Sequence, residues 1–166
     1  MKEEPPGMMI HEVRMRMALR QAKMAAEAGE VPVGAVIYNG RELAGQAWNQ
    51  TQLLKDPTAH AEMLAITQAA SAAGDWRLTN SILYVTKEPC PMCAGAIVLA
   101  RIPLVVWGMS DPQRGGAVSR FNILQSAELN HRSEVLTGVL EAECTAIMKE
   151  FFKKRRLESK NSDNFD

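Results

Sequence analysis

Residues 60–93 read HAEMLAITQAASAAGDWRLTNSILYVTKEPCPMC. His60-Ala61-Glu62 stands at one end and Pro89-Cys90-Pro91-Met92-Cys93 at the other, with His60 and Cys90 thirty residues apart. Between them the pattern predicts a helix from roughly Thr58 to Ala73, ending near Gly74, and then an apolar strand, Ser81 to Thr86. A helix of about 15 residues is roughly 22 Å long, and a six-residue strand covers about 20 Å. The strand can therefore run back along the helix. The next helix, Pro91 to about Arg101, then starts where the previous one started. Two helix N-termini lie side by side, one carrying His60 and the other Cys90 and Cys93.

The local chemistry of these termini suits a metal. Cys90 has the position of an N-cap, Pro91 the favoured first helical position, and Cys93 the third. Thiols three apart in a first turn face the same way. The positive end of the helix dipole stabilises thiolates, the ligating form. One neutral imidazole and two thiolates match zinc, at ~2.0–2.1 Å for nitrogen and ~2.3 Å for sulfur. Iron and cobalt stay as alternatives that thiolate-rich tetrahedral ligation disfavours. Three ligands leave a fourth position for water, as in catalytic rather than structural sites. A lone His-x-Glu is a common surface pair, and a lone Cys-x-x-Cys fits a redox dithiol equally well; their conjunction is what points to a metal. The remaining thiol, Cys144, sits among Leu140, Ile147 and Met148 and reads as a small buried hydrophobe. His11 and His131 read as surface or turn residues. Residues two apart in a helix point about 200° from each other. Glu62 therefore joins His60 at one site only if the helix begins close to His60, although Asp56-Pro57 offers a competing start. In that position Glu62 is assigned as general base and then acid beside the metal's water.

The rest of the chain frames this segment. Its 166 residues, 46% hydrophobic and 23% charged, fit one ordinary globular domain. We place it at residues 1–157, with a frayed polar tail at 158–166. A first helix is expected from His11 to Ala28, with Ile10, Val13, Met17 and Met24 as its apolar stripe and Ala18, Ala22 and Ala25 beside it. Strands follow at Val33 to Tyr38 and Arg41 to Trp48, joined by Asn39-Gly40 as a type I′ turn. Leu104 to Gly108 and Glu134 to Gly138 read as further strands, 121–132 is ambiguous, and a helix from Leu140 to Leu157 closes the domain. That order implies a three-layer α/β/α fold around a central mixed five-stranded sheet. The methionines, Met17, Met24 and Met148 among them, read as core filler. Three cysteines, an odd number, argue against a disulfide framework. No apolar run approaches the ~18 residues of a membrane span, and Met1 to Gly7 has no signal-like apolar region. No membrane and no DNA partner is expected. The net charge is zero, but Lys149 to Lys160 holds six basic and two acidic residues, a local surplus that can hold phosphates.

The sequence resembles the zinc-dependent base deaminases, whose signature is His-x-Glu followed by Pro-Cys-x-x-Cys, and within them the bacterial tRNA-specific adenosine deaminases. The matching stretches are Glu30-Val31-Pro32-Val33-Gly34-Ala35, Trp48-Asn49, Asp56-Pro57-Thr58-Ala59-His60-Ala61-Glu62 and Glu88-Pro89-Cys90-Pro91-Met92-Cys93-Ala94-Gly95-Ala96. To these are added Asn130-His131-Arg132 and Phe151-Phe152-Lys153-Lys154-Arg155-Arg156. The resemblance implies a cytidine deaminase-like fold and a cytoplasmic homodimer with one catalytic Zn2+ per subunit. Its expected reaction is adenosine to inosine at the wobble position of a tRNA anticodon loop. It implies His60, Cys90 and Cys93 as ligands and Glu62 as proton carrier. Asn49 and Val33 are implied at the base, and Asp111 at a neighbouring sugar. Lys153, Lys154, Arg155 and Arg156 are expected on the RNA backbone. Pro112 is a departure that stiffens the loop Gly108 to Gly116. Without the resemblance Asn49 reads as a turn residue. A deaminase of a free base, guanine or cytosine in type, and a zinc-stabilised RNA-binding module without catalysis are the competing readings.

Overall fold

The structure, a computed structural model, describes residues 6–162. In chain order the elements are α1 (Pro6–Glu27), β1 (Gly34–Asn39), β2 (Glu42–Trp48), α2 (Thr51–Leu54), α3 (Ala61–Ala73), β3 (Ser81–Lys87), α4 (Pro91–Leu99), β4 (Leu104–Met109), β5 (Glu134–Thr137) and α5 (Glu141–Ser162). The strands form one five-stranded sheet in the order β2-β1-β3-β4-β5. β1 runs antiparallel to β2 and β3, while β3, β4 and β5 are mutually parallel. The sheet is therefore mixed, as the sequence implied.

Both faces are covered, so the inner strands are near-continuous apolar runs. Alternation sorts their side chains. Ala35, Ile37, Leu83, Val85, Val105 and Trp107 pack with Ala61, Ala65, Ala69, Ala94 and Ile97 of α3 and α4. Val36, Tyr84 and Val106 pack on the other face with Met15, Ala18 and Leu19 of α1 and Cys144 of α5. Sheet glycines let the helices seat closely. A Cβ at Gly34 would overlap the backbone of Ala18 and Ala22, one at Gly45 the backbone of Ala65, and one at Gly108 the Cys144 thiol. Cys144 is the small buried hydrophobe expected, on the face of the sheet away from α3 and α4.

The close seat on Gly34 corrects the reading of α1. Its buried face is Met15, Ala18, Leu19, Ala22 and Ala25, whereas Ile10, Val13 and Met24 are exposed. Only alanines fit against the glycine backbone, so the bulkier stripe is turned away. Met24 is therefore not core filler, while Met148 is buried. The hairpin turn falls one residue later than expected. Asn39 pairs with Glu42, the loop is Gly40-Arg41, and Gly40 alone of the two has a positive φ, 59°. One left-handed residue at the first loop position is the type II′ pattern rather than I′. Arg14 donates to the Gly40 carbonyl at 2.7 Å and lies over the Tyr38 ring. His11 shares a hydrogen bond with the Tyr84 hydroxyl at 2.9 Å, so it belongs to this packing rather than to open surface. Residues 121–132 form turns without a helix. α5 continues through Ser162, so residues 158–162 are helical rather than frayed; no glycine or proline interrupts them. Residues 163–166 lie outside the described residues. Among the described residues no helix is long and apolar enough to cross a membrane.

Gly34→Ala tests the seat of α1. The added methyl has no room, and overpacking of this kind costs about 1–3 kcal/mol, a fall of roughly 2–12 °C in Tm for a domain of this size. A thermal melt matching the parent would show that α1 does not rest on β1 at this point.

Candidate active site

α3 begins at Ala61, with His60 as its N-cap in extended conformation. Asp56 instead closes a turn on Thr58, accepting from its amide at 2.8 Å and its hydroxyl at 2.7 Å. The helix start next to His60 is the condition under which His60 and Glu62 share a site, and it is met. Cys90 caps α4, Pro91 follows, and Cys93 lies in the first turn. β3 carries the chain back along α3, so the two N-termini adjoin. His60 Nδ1 lies 3.5 Å from Cys90 Sγ and 3.5 Å from Cys93 Sγ. The three candidate donor atoms all lie within 4.8 Å of one another.

This donor set fits a tetrahedral ion. Bonds of ~2.0–2.1 Å to nitrogen and ~2.3 Å to sulfur at the tetrahedral angle place nitrogen and sulfur about 3.6 Å apart, close to the spacing observed. The Cys90 thiol is pulled down to about 4, chiefly by the hydrogen bond it receives from Cys93, with His60 helping against the opposing effect of burial. The Cys93 thiol is pushed up by its hydrogen bond to Cys90 and by burial, so without an ion the pair holds one proton between them. Cys144, His11 and His131 stand outside the cluster. Burial pushes the Cys144 thiol up to about 12, and His131 donates to the Ile102 carbonyl at 2.9 Å as a turn residue.

Glu62, 3% exposed, lies against the cluster. Burial pushes its carboxyl above the ordinary range, its own backbone N–H opposing. A pocket of about 230 Å³ opens here, lined by Val31, Val33, Asn49, Thr51, His60, Glu62, Lys87, Glu88 and Cys90. Asn49 is buried, and its backbone N–H donates to the Val33 carbonyl at 3.0 Å, tying the two expected base-contacting residues together. Its side-chain amide makes no hydrogen bond within the described residues and is left for the pocket. Asp111 does not line the pocket. Its carboxylate accepts from Lys87 Nζ at 2.6 Å and from the amides of Gln113 and Arg114. Lys153, Lys154, Arg155 and Arg156 stand on α5 and none lines this pocket. Arg155 donates to the Gly29 carbonyl at 3.1 Å, two residues along the chain from Val31. A larger cleft, about 730 Å³, lies between α1 and α5 and includes Lys154 but none of the cluster.

A family model described as MafB19-like deaminase matches residues 9–156. The tRNA-specific adenosine deaminase of Bacillus subtilis (strain 168) is 46% identical over 149 residues, 90% of this chain and 92% of that protein. That of Haemophilus influenzae is 47% identical over 150 residues, 90% of this chain and 87% of that protein. This chain belongs to the tRNA-specific adenosine deaminase family. A structure from a study of A-to-I editing by tRNA:A34 deaminases at the wobble position of transfer RNA superposes with a TM-score of 0.79 at 39% identity, covering 81% of this chain and 98% of that one. A guanine deaminase from Nitrosomonas europaea, at 21% identity and a TM-score of 0.73, shares the fold. The cytidine deaminase-like architecture expected from the sequence is thus the one observed.

Spacing and local chemistry pointed to His60, Glu62, Cys90 and Cys93, but Val31, Thr51, Lys87 and Glu88 were given no role. Glu88 is the most consequential. Its buried carboxylate accepts from the amides of Asp111, Val118 and Ser119 at 2.8–3.0 Å and from the Ser119 hydroxyl at 2.6 Å. It thereby folds the 109–120 loop over the start of α4, where Gly115 and Gly116 leave no space for a Cβ. Its place directly before the Pro-Cys step was the available signal.

Burial pushes the Glu88 carboxyl up, but these hydrogen bonds outweigh it and hold the group below its ordinary value. A carboxylate with a lowered folded pKa stabilises the fold fully above its unfolded value of about 4.3, and loses that contribution as pH falls through the folded value. Glu88→Gln should therefore cost about 2–4 kcal/mol at neutral pH, and the difference from the parent should shrink below about pH 4. Denaturant unfolding at both pH values measures this; a pH-independent difference would contradict the ionised, hydrogen-bonded assignment.

Proposed function

We propose that the protein is a hydrolytic deaminase that converts adenosine to inosine at the wobble position of a tRNA anticodon, with one zinc ion per subunit held by His60, Cys90 and Cys93. The observation that carries this reading is one imidazole and two thiols within 4.8 Å of one another, with His60, Cys90 and the buried Glu62 lining one pocket. Such an ion, when bound, makes a water nucleophilic at neutral pH. The chain supplies the proton traffic. Glu62 accepts a proton from the attacking water and delivers it to the ring nitrogen beside C6; it then passes the second proton to the departing amine, so water and adenosine become inosine and ammonia. The raised affinity of its buried carboxyl for a proton suits a group that works as base and then acid. The free Asn49 amide bonds the base edge, and Val33 packs against its ring. An anticodon loop suits this recessed site, because loop bases splay out without breaking base pairs.

The same reading assigns Asp111 to the rim that the neighbouring nucleotide crosses, and Lys153 to Arg156 to the RNA backbone. Arg155, tied to Gly29 beside the pocket wall, supports that placement. It also takes residues 1–157 as a single zinc deaminase domain working as a homodimer in the cytoplasm.

The direct test is sequencing of total tRNA after incubation with purified protein, which should show A read as G at the first anticodon position. Glu62→Gln should keep one zinc per chain by elemental analysis, and the parent's melting temperature, yet lose about 10²–10⁴-fold in turnover. Ammonia release from guanine or cytosine without any inosine in tRNA would replace this function with the free-base alternative. No deamination of any of these substrates by the parent, with tRNA binding unchanged in Glu62→Gln, would leave only a zinc-stabilised RNA-binding module.

Arg155→Ala combined with Arg156→Ala should weaken tRNA binding and lower the slope of log affinity against log salt by about 0.7–0.9 per lost phosphate contact, with zinc retained. An unchanged slope would remove the basic helix end from the RNA path.

A further inference from the structure

Lys87 ends β3, in step with Leu83 and Val85, and so leaves the sheet on the α3/α4 face, at the end where His60 and Cys90 stand. It lines the pocket beside them and is the one lysine or arginine that does so among the described residues. Its ammonium has three donors. One is spent on Asp111 at 2.6 Å, and the other two have no partner among the described residues. The side chain is 28% exposed, so an incoming ligand reaches it, while Asp111, at 14%, is mostly covered. Asp111 is itself fixed by the amides of Gln113 and Arg114, and its own amide donates to Glu88. The ammonium is thus a positioned charge rather than a swinging one. Three carboxylates, Glu62, Glu88 and Asp111, crowd this end of the molecule, a poor reception for a polyanion unless a cation stands among them.

We propose that Lys87, held by Asp111, is a substrate-binding and specificity residue: its two free N–H donors take a phosphate of the RNA at the nucleotide flanking the one in the pocket. This deepens the tRNA deaminase reading and rests on it. Asp111 then acts on the neighbouring nucleotide by aiming Lys87. A base or nucleoside without a flanking phosphodiester gains nothing from the contact, so Lys87 favours polymer over monomer.

The test is steady-state deamination of tRNA by the zinc-loaded protein across a range of KCl concentrations, comparing the parent with Lys87→Met, Lys87→Arg and the double variant Lys87→Met/Asp111→Asn. One phosphate contact on a single strand carries a salt slope of about 0.7, or about fivefold in affinity at ~0.1 M salt. Lys87→Met should raise KM about fivefold or more, flatten its salt dependence by about that slope, and leave the effect out of kcat. Lys87→Arg should restore most of it. In the double variant KM should stay raised. Recovery of the parent KM there would mean that Lys87 only neutralises Asp111, and it overturns the proposal. So would a Lys87→Met protein with the parent's KM and salt slope, or one whose loss is matched by lost zinc or a lowered Tm. Absence of inosine with the parent protein would instead remove the reading beneath it.

Discussion

Two helices, α3 and α4, begin at the same place, and the site exists because they do. Each presents the positive end of its peptide dipoles to the other. Left alone, that arrangement is unfavourable, and it invites negative charge into the gap. The Cys90 thiolate sits there as the cap of one helix, and the His60 ring reaches it from the cap of the other. These three side chains are where a divalent ion with thiolate ligands would tie the two ends together. Glu62 gains its burial from the same junction, since the first turn of α3 is pressed under the pocket floor. The charge pattern that suits a proton carrier therefore follows from where two helices start.

What holds those starts in register is largely Glu88. Its four hydrogen bonds gather the 109–120 loop onto the end of β3, and the loop in turn covers the first residues of α4. Gly116 donates its amide to the Pro89 carbonyl and packs on the backbone of Cys90 and Pro91. A side chain there would push the cysteine cap away from His60. On the far side Glu30 plays a similar part. Fully buried, it accepts from the Leu53 amide at 2.7 Å and from the Thr51 hydroxyl, anchoring α2 against the segment that carries Val31 and Val33. Two buried carboxylates, each satisfied largely by backbone donors, thus brace the two walls of the pocket.

The fold is shared beyond this family, so what this chain does depends on the residues around its own pocket. The guanine deaminase that shares the architecture shows that one scaffold serves more than one deaminase. In this chain the rim holds Val31, Thr51, Lys87 and, one step out, Asp111. Arg155, on α5, bonds to the Gly29 carbonyl just after α1. A basic helix end and a fixed ammonium on a chain of zero net charge are local devices, and local charge is what a short RNA loop meets within a Debye length.

The sequence alone pointed to the layered fold, the helix caps and the His60, Cys90 and Cys93 cluster with Glu62 beside it. Those features are local: spacing along a helix turn, proline and glycine at helix ends, and strand lengths that return the chain to its start. It misread α1, because the choice between Ile10, Val13 and Met24 and the alanine face depends on Gly34, a residue on another element. It placed the hairpin turn one residue early, because pairing register is fixed by the whole ladder and by Arg14 reaching from α1. Lys87 and Glu88, just past the expected strand, received no role. Their partners, Asp111, Val118 and Ser119, lie 23 to 31 residues onward in an irregular loop with no periodicity to read. Only the tertiary structure could bring those groups within hydrogen-bonding distance, since such contacts are set by loop closure and desolvation rather than by neighbours in the chain.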